Sequence, residues 1–156
     1  MLPLGRLLPV LKRLRRQGRS IAFTNGCFDV LHVGHLDVFE KISRMADVLV
    51  VAVNSDSSVR RLKGSRRPVV TERERARMVA ALKPVDYVTI FSQDTPLRLI
   101  QAIRPDILAK GGDWKLDKIV GADVVKASGG RVVRIPYVKN RSTSWLLRRI
   151  ERADGF

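Results

Sequence analysis

Residues Val48 to Val53 read Val-Leu-Val-Val-Ala-Val, an unbroken apolar run. A strand with one face in water alternates apolar and polar residues. A strand without that alternation is buried on both faces, which is typical of a parallel sheet covered by helices on each side. The rest of the chain supplies such covering. Pro9 to Arg16 predicts a short basic helix, with Val10, Leu11 and Leu14 on one side and Gly18 as its stop. Ile21 to Thr24 reads as a strand, and Gly34 to Ala46 has helical spacing through Leu36, Phe39, Ile42 and Met45. Thr71 and Glu74 form a capping-box pattern that opens a helix running to about Leu82, stopped by Pro84. Asp86–Phe91, Asp106–Lys110 and Arg131–Ile135 read as strands, with helices expected at Thr95–Ile103, Gly121–Ser128 and Ser142–Arg152.

Five strands alternating with helices imply an α/β fold: a Rossmann-like, doubly wound, five-stranded parallel sheet. At 156 residues, with 45% apolar residues, one domain with its own core is expected. Within it, residues 1–19 read as a basic N-terminal helical extension and residues 20–156 as the main domain. Sheets of this kind bind ligands beyond the carboxyl ends of their strands. The loops at Asn25, Asn54, Ser92, Gly111 and Pro136 are therefore expected to face the site.

Composition narrows the setting. A single cysteine excludes an intramolecular disulfide framework and suits a reducing cytoplasm. No apolar stretch approaches the ~20 residues of a membrane span. Met1 to Val10 is broken by Pro3, Gly5, Arg6 and Pro9 and does not read as a secretory signal. Thirty Lys plus Arg against 15 Asp plus Glu give a net charge of +15, which points to anionic partners. The charge is scattered along the chain, aromatics are 6%, and no nucleic-acid recognition motif is present. Phosphorylated small molecules thus fit better than a specific nucleic acid, and a general basic surface fits as well.

The densest chemistry is Thr24-Asn25-Gly26-Cys27-Phe28-Asp29-Val30-Leu31-His32-Val33-Gly34-His35, between the first strand and the first long helix. It holds both histidines of the chain. Gly26 permits a sharp turn, and Gly34 permits close backbone approach at a helix start, where free N–H groups attract anions. His32 and His35, three apart, face the same way in a first helical turn. They suit a polyphosphate whose oxygens gain charge during substitution. Three other readings stand beside this one. His32 and His35 with Cys27 and Asp29 make a zinc site, Cys27 with a histidine makes a nucleophile pair, or a histidine simply caps the helix.

The same segment resembles the HxGH signature of the nucleotidyltransferase superfamily, in its cytidylyltransferase-like form. The resemblance continues through Val51–Asp56, Arg61-Leu62-Lys63-Gly64, Arg67-Pro68-Val69 and Glu74-Arg75. It extends through Asp94-Thr95-Pro96, Arg104-Pro105-Asp106, Lys110–Trp114 and Ser142-Thr143-Ser144. In order and spacing it is similar to the adenylyltransferase part of the bacterial heptose-1-phosphate enzymes, here without a sugar kinase segment. The resemblance implies transfer of AMP from ATP, with Mg²⁺ carried by the triphosphate, to D-glycero-β-D-manno-heptose 1-phosphate. ADP-heptose for lipopolysaccharide core synthesis and pyrophosphate would be the products, made by a cytoplasmic homodimer. The alternative is a cytidylyltransferase acting on glycerol 3-phosphate or another small phosphate acceptor.

The resemblance also assigns residues. His32, His35 and Lys63 would be catalytic. Asn25, Gly26, Cys27, Phe28 and Gly34 would meet the nucleotide, as would Arg75, the loop Lys110, Gly111, Gly112, Asp113 and Trp114, and the hydroxyls of Ser142, Thr143 and Ser144. Asp29, Asn54 and Asp56 would line the sugar pocket, and no residue is assigned to a metal. The chain departs from the usual pattern at Asn140 and Arg141, where relatives often carry glycine and a small or apolar residue.

Overall fold

The run that begins at Val48 forms β2 (Val48–Asn54), buried at every position. It pairs in parallel with β1 (Ile21–Gly26) on one side and β3 (Tyr87–Phe91) on the other, so that Val51 faces Thr24 and Val88 across the two ladders. β4 (Ile107–Gly111) and β5 (Arg131–Ile135) extend the sheet beyond β1, giving five parallel strands in the order β3-β2-β1-β4-β5. The winding reverses between β1 and β4, the switch point at which such sheets bind ligands. The computed structural model describes residues 1–112 and 115–136, with Thr143, Trp145, Leu146, Arg149 and Arg152; of Asp117 it describes the backbone alone.

Successive residues of β2 feed two separate cores. Val48, Val50 and Ala52 pack with α1 (Leu4–Arg16), α5 (Leu97–Ile103) and α6 (Ala122–Ala127). Leu49, Val51 and Val53 pack on the other face with α2 (Val33–Ser43) and α4 (Glu72–Ala80). The capping box at Thr71 and Glu74 is formed as expected.

α1 starts earlier than its sequence suggests, at Leu4, and carries Pro9 inside it. A proline costs an interior helix about 3 kcal/mol. Leu7 and Leu11 are wholly buried in the core, and Leu2, Leu4, Leu8 and Leu14 pack beside them. At ~1.5–3 kcal/mol for each fully buried leucine, that burial outweighs the proline, which lies on the exposed side. α3 (Asp56–Lys63) has no counterpart in the sequence reading, nor does the 3₁₀ turn Leu116–Lys118. Only Ser58 and Val59 of α3 are buried, so it shows no apolar period, and its start rests on the Ser55 side chain accepting from the Ser58 amide. Among Ser142–Arg152, the described residues Thr143, Trp145, Leu146, Arg149 and Arg152 are helical.

The amino-terminal end of the sheet is closed by aspartates. Asp106 accepts from the Ile21 amide and Asp86 from the Leu49 amide, each at 2.7 Å. Asp47 accepts from the Ser20 amide and hydroxyl. Those two donors, with Arg19, hold the Asp47 carboxyl down to about 2.

Candidate active site

At the carboxyl end of β1 the chain turns through Gly26. A Cβ there would lie 2.8 Å from Cζ of Phe28, so any side chain would have to displace that ring. Phe28 adopts a positive φ of 48° and folds back beneath Gly26. Its ring meets His35 edge-on at 5.2 Å and leans on Phe39 at 5.3 Å. Val33 starts α2, Gly34 is buried in its first turn, and the His35 amide donates to the His32 carbonyl. This places the two imidazoles in a stack, with centroids 3.9 Å apart and planes 23° from parallel.

Both Nδ1 atoms are buried without a partner among the described residues. Burial lowers the pKa of His32. Burial, and then the neighbouring His32, lower that of His35 to about 4. Desolvation disfavours the charged form of each ring, so the pair is neutral at pH 7.

The rings border a cavity of about 620 Å³. Its floor is the strand ends: Thr24, Asn25 and Gly26 of β1, Asn54 of β2, and Leu108, Lys110 and Gly111 of β4. Cys27, Phe28 and Asp29 continue the wall, Lys63 and Arg67 approach from after β2, and Thr143 closes one side. The Thr143 hydroxyl lies 3.4 Å from the Val30 carbonyl, to which it donates.

Several expected residues thus meet here: His32, His35, Lys63, Asn25, Gly26, Cys27, Phe28, Asp29, Asn54, Lys110, Gly111 and Thr143. Gly34, Gly112, Arg75 and Asp56 are not part of the wall. Asp113, Trp114, Ser142 and Ser144 lie outside the described residues.

Arg75 is wholly buried. Its guanidinium donates to the Val70 carbonyl at 2.8 Å, to Asp56 at 2.8 Å, and to the Cys27 carbonyl. It therefore joins the turn after β1, the start of α3 and the segment before α4. Asp29 ties the same regions together from the other side. It pairs with Arg67 and accepts from the amides of Val69 and Val70 at 2.8 and 3.0 Å. These two hubs fix the segment between Lys63 and α4 against the histidine loop.

The cysteine and zinc readings lose support. Burial pushes the Cys27 thiol up, against an opposing pull from Lys63, Arg75 and Lys110, which makes it a poor nucleophile at neutral pH. Among the described residues, no three of His, Cys, Asp and Glu gather as a ligand set for a metal.

The wall also holds residues to which the sequence reading gave no role: Leu62, Arg67, Asp94, Thr95, Pro96, Lys118, Ile119 and Val120. Leu62, Arg67 and Asp94–Pro96 stood inside motifs of the family pattern, which was the available signal. Lys118–Val120 had none.

Known proteins resemble this chain along most of its length. A family model described as cytidylyltransferase-like matches residues 23–142. The bifunctional protein HldE of Syntrophotalea carbinolica is 52% identical over 144 residues, covering 92% of this chain and 29% of that protein. The bifunctional protein HldE of Geobacter metallireducens is 50% identical over 149 residues, covering 96% of this chain. The chain spans 30% of that relative's length. The crystal structure of a lipopolysaccharide core biosynthesis protein from Thermoplasma volcanium aligns with a TM-score of 0.64 at 28% identity. That alignment covers 78% of this chain and 98% of the other. A pantoate-beta-alanine ligase from Francisella tularensis, at 14% identity and a TM-score of 0.63, shares the fold.

Proposed function

This chain belongs to the cytidylyltransferase-like family, and we propose that it transfers the adenylyl group of ATP to D-glycero-β-D-manno-heptose 1-phosphate. The products are ADP-heptose, a precursor of the lipopolysaccharide core, and pyrophosphate. The observation that carries the reading is the stacked His32–His35 pair bordering a cavity lined by Lys63, Arg67, Lys110 and Lys118. Support for the heptose comes from the series of motifs along the chain, from relatives named HldE, and from the lipopolysaccharide core biosynthesis protein.

An oxygen of the acceptor phosphate attacks the α-phosphorus in line. The new P–O bond forms as the bond from that phosphorus to the oxygen bridging the β-phosphate breaks, and pyrophosphate leaves with that electron pair. No enzyme nucleophile takes part, so catalysis is alignment and charge stabilisation. A buried Nδ1 without a partner is least costly as a lone pair, which leaves the proton of each neutral imidazole on Nε2. From there His32 and His35 donate to oxygens of the transferring phosphoryl group. Lys63 neutralises charge from the other side. Lys110 and Gly111, with Asn25, receive the nucleoside, and Ser142, Thr143 and Ser144 hold its outer phosphates.

Mg²⁺ fits as part of the nucleotide. Asp29 is engaged by Arg67 and two amides, and Asp94 lies 2.6 Å from Arg61. The ion supplies neutralisation of the triphosphate oxygens when bound. Arg75, Asp56 and Gly34 act as supports. Residues 20–156 carry this chemistry, residues 1–19 are a helical extension packed on it, and the working form is a cytoplasmic homodimer.

Pyrophosphate release tests the reading, with ATP or CTP offered against the heptose 1-phosphate and glycerol 3-phosphate. Release with ATP and the heptose is expected. Release with CTP and glycerol 3-phosphate alone overturns the assignment of both substrates.

A further inference from the structure

Two asparagines line the cavity at the ends of neighbouring strands, and their amides are locked in opposite senses. Lys110 Nζ donates to both the backbone carbonyl and Oδ1 of Asn25, each at 3.1 Å. An ammonium only donates, so Oδ1 must face it and Nδ2 is the atom left for a ligand. Asn54 is 3% exposed, and its Nδ2 donates to Ser58 Oγ at 3.0 Å. The single hydroxyl proton of Ser58 goes to the Gln93 carbonyl, also at 3.0 Å. The hydroxyl must therefore accept from Asn54, and the amide cannot turn over. Its Oδ1 has no donor among the described residues.

The segment that anchors Ser58 leads directly into Asp94 and Thr95, which line the same cavity. Oδ1 of Asp94 receives Arg61 Nε at 2.6 Å, which leaves Oδ2 without a protein donor among the described residues. The β2–β3 end of the cavity thus offers an amide oxygen and a carboxylate oxygen, and Lys63 lines the same cavity. Two such acceptors repel an anion and match the hydroxyls of a polyol.

We propose that Asn54 Oδ1 and the Asp94 carboxylate form a hydroxyl-recognition subsite that binds the sugar ring of the acceptor. The acceptor's phosphate then points toward Lys63 and the histidines. This rests on the proposed transfer to a sugar phosphate and adds which residues distinguish a polyhydroxylated phosphate from a simple one.

The test uses heptose 1-phosphate, a panel of its monodeoxy analogues, and the wild-type and Asp94→Ala proteins. Asp94 is largely exposed, so its truncation leaves the fold intact, which circular dichroism verifies. The variant is expected to raise KM for the sugar phosphate about tenfold while KM for ATP stays within about twofold. On the analogue lacking the contacted hydroxyl, Asp94→Ala is expected to have no effect. An unchanged KM for the sugar phosphate, an equal rise in both KM values, or the same penalty on every analogue overturns the subsite. Absence of turnover in the wild type would count against the transfer reaction itself. Calorimetric titration of heptose 1-phosphate into both proteins then decides the subsite: weaker binding to Asp94→Ala supports it, and equal binding or none overturns it.

Discussion

The imidazoles of His32 and His35 stack at 3.9 Å, and the Phe28 ring meets the pair edge-on at His35. The aromatic contact orients a ring whose proposed role is to donate one N–H. His35→Ala is therefore expected to lower kcat by about 10²–10³, the scale for losing one donor to a transition-state oxygen. Pyrophosphate release measures it, and near-normal turnover removes His35 from the mechanism.

The low pKa of His35, about 4, also makes a stability prediction. In the unfolded chain the ring takes up a proton near 6.5, while in the folded protein it resists until about 4. The unfolded state therefore binds more protons across that window, and stability falls as pH drops through it. Thermal melts between pH 7 and 4 should show a declining Tm, and His35→Gln should flatten that decline.

Arg75→Met is expected to cost about 3–5 kcal/mol, because Asp56 loses its buried counter-charge and two carbonyls lose their donor. Arg75→Lys should recover little, since one ammonium cannot reach three partners set by a planar fork. Urea unfolding gives both values.

Gly26→Ala forces a methyl group against the Phe28 ring at 2.8 Å. The ring must move, and His35 moves with it. Stability should fall by about 1–3 kcal/mol and kcat by about tenfold or more, as overpacking beside the proposed catalytic pair predicts. Parallel melts and turnover assays separate the two effects.

Leu11→Ala should cost about 2–5 kcal/mol, the range for a truncated core leucine. Lys12→Ala, next to it on the exposed side, should cost less than about 0.5 kcal/mol. Denaturant midpoints compare them.

β2 was legible because burial on both faces leaves a compositional trace; β5, an edge strand in which only Ile135 is buried, matches its expected bounds residue for residue through its β-branched run instead. The histidine turn was legible from glycines that permit a sharp turn and from the family pattern, whereas the extended backbone of His32 at the N-cap, outside the first helical turn expected for it, and the positive φ of Phe28 were not. α3 was not, because its order comes from Ser55, Ser58 and Gln93, polar residues whose partners include one remote in sequence. The bracing role of Arg75 was equally hidden. A guanidinium suits a phosphate or three carbonyl-type oxygens, and only the packed structure distinguishes them. Asn54 was assigned to the sugar pocket by the family pattern, but the sense of its amide and the free oxygen of Asp94 come from donor counting between segments, which no local pattern encodes.

The aspartates that close the amino-terminal end of the sheet have a long-range consequence. Asp47, Asp86 and Asp106 are spent at the amino-terminal pole, on backbone amides and, for Asp47, on Arg19, while Lys63, Lys110 and Lys118 line the cavity at the other, in a chain whose net charge is +15. Lysines around a cavity in so basic a chain make a local field that draws polyanions to its mouth before any contact forms. Encounter with an anionic ligand becomes a rate that dissolved salt slows, as counter-ions screen the field over a Debye length of about 10 Å at 0.1 M.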